Sequence, residues 1–362
     1  MLLFTLYDNQ MGLLRLYFAL SVLLGHIDSL YLLSPIYAVN GFYILSGFYM
    51  SMILNEKYDK PDLNLLFYKR RFMRLLPTYW LLAIFHLIIA MGYSLNGNSS
   101  ILFFNFSDFP SNASVTTYLY IIFSNIVVIG QDLALFLGIS PEDGNIFLSP
   151  LSHAEQYPMP RYMLIPVAWP ISIEFLFYLI APFILRNRPK RVFIILVLSI
   201  VSNLVTNYFG LNNSNWRFRF FPSTLLFFLT GYLAYILYKR YNHLYNNYIF
   251  YKIRIPVTFG VLILLTLLLK LETSFASHLL ILLLICIISI PYLFRVSSSS
   301  RSDRLIGELS YPIYLIHPIF IGIDDLLNID SKLFIVFGSI IGAYLCYQLY
   351  IKPLEKMRAK LK

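Results

Sequence analysis

The chain has 362 residues, 58% of them hydrophobic and 13% charged, with a formal net charge of +10 and a mean hydropathy of +0.68. Soluble globular chains carry about twice that charged fraction, so a soluble domain is excluded and a polytopic membrane protein is expected. The positive charge does not mark a nucleic-acid partner, because it falls between apolar runs in the pattern of membrane loops.

About ten spans are expected in chain order, at roughly 12–32, 36–54, 76–92, 166–185, 192–209, 220–238, 255–271, 275–293, 305–323 and 332–351. The N-terminus lacks a basic region and a small-residue cleavage site, so the first span is expected to act as an uncleaved anchor. Placing both termini in the cytoplasm puts Lys69, Arg70, Arg71, Arg74, the RNRPKR run 186–191, Lys239, Arg240 and the tail lysines on the inner side. Arg161, Arg217, Arg219, Lys270 and Lys332 fall outside it, as the positive-inside rule predicts for a minority. A further apolar run, 118–138, breaks this bias if counted as a span. It is therefore read as an interfacial or re-entrant helix within an extracytoplasmic segment, 93–165. The fold class is all-α: a single transmembrane bundle over 1–362, ending in a short basic tail, 352–362, that suits lipid headgroups.

Within the first span, Arg15 and His26 are eleven residues apart. At ~100° per residue they return to nearly the same face, about 16 Å along the axis. One reading is a snorkelling arginine and a hydrogen-bonded core histidine. The other is a shared interior space in which His26, as neutral imidazole, serves as a general base, since ionisable groups in lipid persist mainly where they face a cavity. The GFYILSGF run (Gly41–Phe48) reads first as helix packing, with Gly47 and Ser51 as a small-xxx-small pair. In YKRRFMRLLPTYW, Lys69, Arg70, Arg71 and Arg74 precede Pro77, and Arg71 and Arg74 share one helical face. Such guanidinium forks suit phosphates, of lipid headgroups or of a polyphosphate cofactor. Glu174 sits about 12 Å into its span. A buried carboxylate there needs a partner, for which His26 and His317 are candidates. Ser310, Tyr314 and His317 form one polar stripe at i, i+4 and i+7 on an otherwise apolar helix bracketed by Pro312 and Pro318. Cys286 and Cys346 lie in apolar runs with no metal-like spacing. His153 with Glu155 reads as a solvated pair rather than a metal site. No HExxH, Walker or GxSxG pattern is present, so no metal is expected.

In this order the motifs resemble membrane acyltransferase family 3. The resemblance rests on R-x10-H (Arg15, His26), GFYILSGF, the R-x-x-R pair Arg71 and Arg74, Trp169-x2-Ser172-x-Glu174-x2-Phe177-Tyr178, FFLTGYLAY and SYPIYLIHP. It departs where many relatives carry a second acid after the Glu174 position, here Phe175. The resemblance implies transfer of an acyl group, acetyl above all, from acetyl-CoA or another acyl-CoA to a hydroxyl of a lipid-linked or cell-surface polysaccharide at a bacterial inner membrane. It also implies roles: Arg15, Lys69, Arg70, Arg71 and Arg74 for the CoA phosphates, and His26 as base or acyl carrier. Glu174 would hold the His26 tautomer, and Tyr314 and His317 would donate to the oxyanion. The rival expectations are a transporter or flippase for an anionic lipid-linked glycan, and a non-catalytic scaffold of glycan export.

Overall fold

A computed structural model describes residues 10–27, 32–97, 100–211, 213–243, 253–268, 275–297 and 300–359. Residues 28–31 of the first expected span, 269–271 of the seventh and 360–362 of the tail lie outside the described residues. The helices are α1 (Gly12–His26), α2 (Pro35–Glu56), α3 (Asn64–Leu95), α4 (Val115–Val127) and the short α5 (Gln131–Ala134). After them come α6 (Trp169–Ile184), α7 (Pro189–Tyr208), the short α8 (Ser214–Phe218), α9 (Phe221–Tyr241) and α10 (Arg254–Leu267). The last are α11 (Phe275–Ser297), α12 (Arg301–Leu327), α13 (Lys332–Cys346) and α14 (Lys352–Ala359).

Among the described residues, eight helical stretches are long and apolar enough to cross a membrane. The expected spans at 12–32 and 255–271 appear as α1 and α10, helices of 15 and 14 residues. The ambiguous run 118–138 does not continue as one helix. It ends at Val128, whose φ of 71° breaks the helical path, and Gly130 follows at φ 100°. The outer segment departs from the all-α expectation in one detail: β1 (Leu137–Ile139) pairs antiparallel with β2 (Ile146–Leu148). That segment has a small core of its own, built on Ile121, Ala134, Ile139, Met159, Tyr162 and Met163.

Apolar side chains also cover the outside of the bundle. Ile84, Phe85, Ile88 and Met91 on α3 are exposed, as are Ile194, Val197, Leu198 and Val201 on α7. The spacing of three and four puts each set on one helical face. An apolar exterior of this extent suits hydrocarbon rather than water.

Two contacts fix the frame around the site. Gly47 on α2 and Gly231 on α9 face each other so closely that a Cβ on Gly47 would sit 1.9 Å from the Phe228 carbonyl oxygen, and one on Gly231 2.1 Å from that of Ile44. The small-residue reading of GFYILSGF is met by an α2–α9 crossing with backbones nearly touching. The second contact joins α1 to α12. Asp303 Oδ2 and Oδ1 accept from the Gly12 and Leu13 amides at 2.7 and 3.1 Å, capping the start of α1. At the other end His26 meets His317. Gly12 to His26 and Asp303 to His317 are equal stretches of chain, so the two helices run parallel and in register.

Candidate active site

The bundle encloses a cavity of about 830 Å³, including its open mouth. Arg15 from α1 and Arg71 and Arg74 from α3 line it, and this is its arginine end. Ser46, Glu174 and Tyr178 form a wall, and Tyr43, Ser310 and Tyr314 also line it. Arg71 is almost wholly buried, with 3% exposure, and its guanidinium carbon lies 6.0 Å from the Phe67 ring centre. The Arg15 guanidinium lies over the Tyr49 ring at 4.7 Å. The aromatic faces add a cation–π attraction that helps to hold both guanidiniums in place.

Helical phase sorts the expected cations. Arg71 and Arg74, three residues apart, both reach the cavity. Arg70, one step of ~100° away, instead donates to Tyr58 Oη at 3.2 Å. Lys69 is exposed on the surface. The expectation that all five cations share one phosphate site therefore narrows to Arg15, Arg71 and Arg74. The sequence reading passed over Glu308, a carboxylate on α12 within electrostatic reach of Arg15, Arg74, Arg358 and Glu355.

Glu174 belongs to the cavity and not to His26. Its Oε1 accepts from Ser46 Oγ at 2.7 Å and, in a short bond, from Tyr178 Oη. Ser46 comes from the GFYILSGF run and Tyr178 from one turn further along α6, so two of the sequence motifs meet here. Ser172, two residues and about half a turn before Glu174, points the other way. Its hydroxyl donates to Asp132 Oδ1 at 2.5 Å and accepts from the Gly130 amide at 2.9 Å, fastening the outer segment to α6.

The imidazoles occupy the opposite, histidine end, and neither lines the cavity. His317 is fully buried, whereas His26 is exposed. Their rings lie 5.0 Å apart between centres, with His317 Nε2 3.3 Å from His26 Nδ1. His26 Nδ1 is also 2.9 Å from the Val22 carbonyl oxygen. A carbonyl only accepts, so the partners assign the His26 proton to Nδ1, shared between Val22 and the lone pair of His317 Nε2. Nε2 of His26 is then the bare, basic nitrogen. The tautomer-holding role expected of Glu174 falls to a backbone carbonyl four residues back on the same helix.

Tyr314 stands between the two ends. It lines the cavity, and its ring is 6.1 Å from that of His317. The stripe on α12 thus runs from the cavity (Ser310, Tyr314) to the imidazoles (His317), as its spacing predicts. The expected oxyanion donor is otherwise engaged, however: Tyr314 Oη donates its one proton to the Val167 carbonyl in a short bond.

Arg219, counted from sequence only as a charge outside the inner loops, is drawn into this region. Its guanidinium carbon lies 4.8 Å from the Trp169 ring centre, and its charge acts on His26, Tyr43 and Tyr314. It follows α8, which is capped by Asn213 and tied to the outer segment by Asn215 Nδ2 donating to the Leu135 carbonyl at 3.0 Å. The one sequence signal was a pair of arginines, Arg217 and Arg219, on the side where cations are scarce. In the outer segment His153 is exposed, in keeping with the solvated reading, and Glu155 accepts from Ser149 Oγ at 2.6 Å.

A family model described as an acyltransferase domain matches residues 8–351. No curated protein and no solved structure matches the chain significantly.

Proposed function

We propose, for a chain that belongs to membrane acyltransferase family 3, transfer of an acyl group, acetyl above all, from acyl-CoA to a hydroxyl of a lipid-linked or cell-surface glycan. The observation that carries this reading is the cavity. Three guanidiniums line it at one end, and at the other a single tyrosine ring separates it from a histidine pair with a bare imidazole nitrogen. Arg15, Arg71 and Arg74 match the phosphates of CoA in charge and geometry. With the arginine end facing the cytoplasm, the donor enters from its own compartment. Glu174 lines a cavity with room for an extended arm, and its carboxylate is an acceptor for the amide N–H groups of pantetheine. The thioester then arrives at Tyr43 and Tyr314, and a turn of the Tyr314 ring joins it to the imidazoles.

His26 is the general base. Val22 and His317 hold its Nδ1 proton, and Nε2 takes the proton of the acceptor hydroxyl. Exposure at the histidine end lets a large glycan approach His26 without entering the bundle. Membranes containing the full chain, supplied with labelled acetyl-CoA and their own glycans, test the reading. Label is expected in the glycan with the unaltered chain and not with His26→Ala. Equal incorporation by both, or none with the unaltered chain, sinks the reading and favours transport or scaffolding.

A further inference from the structure

We infer that Tyr43 and Arg219 are further catalytic residues, the pair of donors that stabilises the oxyanion formed when the thioester carbonyl is attacked. The inference rests on the acyl-transfer reading above. Two observations carry it. Tyr43 lines the cavity, is 2% exposed, and its hydroxyl has no hydrogen-bond partner among the described residues. Its ring is stacked on Phe228 at 4.8 Å, which fixes where the hydroxyl points. Arg219 lies over Trp169, the chain neighbour of the cavity-lining Pro170, its charge acts on Tyr43 and Tyr314, and its buried Nε likewise has no partner among the described residues.

Buried donors are almost always satisfied, because leaving one unpaired forfeits its hydration for nothing. Two such donors beside one junction, from α2 and from the loop after α8, mark a place where an oxygen is missing. Tyr314, between them, is not a competitor, since its proton is spent on Val167. Both orphans can donate, and neither has an opposite charge in contact among the described residues, so the group they suit is an oxygen that gains negative charge. A thioester carbonyl does so in the transition state.

The step balances as follows. The acceptor oxygen forms the new C–O bond while its proton passes to His26 Nε2. The carbonyl π pair moves onto oxygen, where Tyr43 O–H and Arg219 N–H hold it. The carbonyl re-forms, the C–S bond breaks, and its electron pair leaves on the CoA sulfur, which recovers the proton from His26.

The test uses the full chain in membranes with acetyl-CoA. Tyr43→Phe keeps the ring stack and removes only the hydroxyl; Arg219→Gln removes the charge, and Arg219→Lys keeps it without the fork. Tyr43→Phe and Arg219→Gln are each expected to lower kcat roughly 100-fold, with donor KM and direct CoA binding unchanged within about twofold. Arg219→Lys is expected to fall between. Wild-type kcat in Tyr43→Phe and Arg219→Gln, with His26→Ala inactive, overturns the inference and leaves the proposed function standing. Loss of CoA binding in step with the rate in both variants shows a packing role and also overturns it. Undiminished transfer by His26→Ala overturns the proposed function instead.

Discussion

His317 Nε2 lies 3.3 Å from His26 Nδ1, the nitrogen that also faces the Val22 carbonyl, so the buried histidine touches the exposed one on the side away from its basic atom. That relation separates the two imidazoles by role. His26→Ala removes the proton acceptor, and loss of transfer by a factor of about 10²–10⁴ is expected. On the proposed reading, His317 positions His26. His317→Gln should lower kcat only about tenfold, the worth of one hydrogen bond, and should shift the acid limb of the pH–rate profile. Equal losses in both, with unchanged pH profiles, would show that the pair does not divide the work in this way.

The partners of Glu174 lead to a prediction opposite to that of a tautomer-holding carboxylate. With Oε1 bound by Ser46 and Tyr178, the carboxylate lines the cavity in which the proposed function places the donor. Glu174→Gln is therefore expected to raise the acyl-CoA KM about tenfold and to leave kcat near its original value. Steady-state kinetics in membranes decide the matter, and a fall in kcat at constant KM would restore Glu174 to the imidazole.

The helical phase of α3 predicts which cations matter. Arg71→Ala and Arg74→Ala each remove a guanidinium from the cavity and should weaken CoA binding by about 10- to 100-fold, the range of a charge-assisted hydrogen bond. Lys69→Ala and Arg70→Ala should bind CoA within about twofold of the original. Direct titration with CoA measures all four, and equal effects across the set would contradict the sorting.

At Gly47 the nearest obstacle to a methyl group is the Phe228 backbone, which cannot rotate away as a side chain would. Gly47→Ala should force α2 and α9 apart and cost about 1–3 kcal/mol. A lower Tm in detergent with reduced yield is the expected result, and an unchanged Tm would show that the crossing has slack. Gly210, with nothing within 4 Å of its Cβ position among the described residues, is not constrained by them, although its φ of 75° keeps some strain in any replacement.

Much of this protein was legible in order along the chain. Hydropathy marks helices because each backbone polar group in lipid must be satisfied within its own segment, so span-forming runs are local objects. The stripe Ser310–Tyr314–His317 and the pairing of Arg71 with Arg74 also follow from residues per turn alone, and Ser310, Tyr314, Arg71 and Arg74 all line the cavity. The length of α4 was less legible, because the left-handed Val128 that ends it is not a residue type that announces a break.

The sequence by itself determined the helical bundle, the faces on which its ionisable groups lie, and the family. Only the tertiary structure decided what each polar group meets. Ser46 and Glu174 are 128 positions apart, Val167 and Tyr314 are 147 apart, and His26 and His317 are 291 apart. A local pattern sets the direction in which a side chain leaves its helix. The partner it finds there is set by how distant helices pack. For a buried donor or acceptor, that partner decides whether its proton is already committed or free for chemistry.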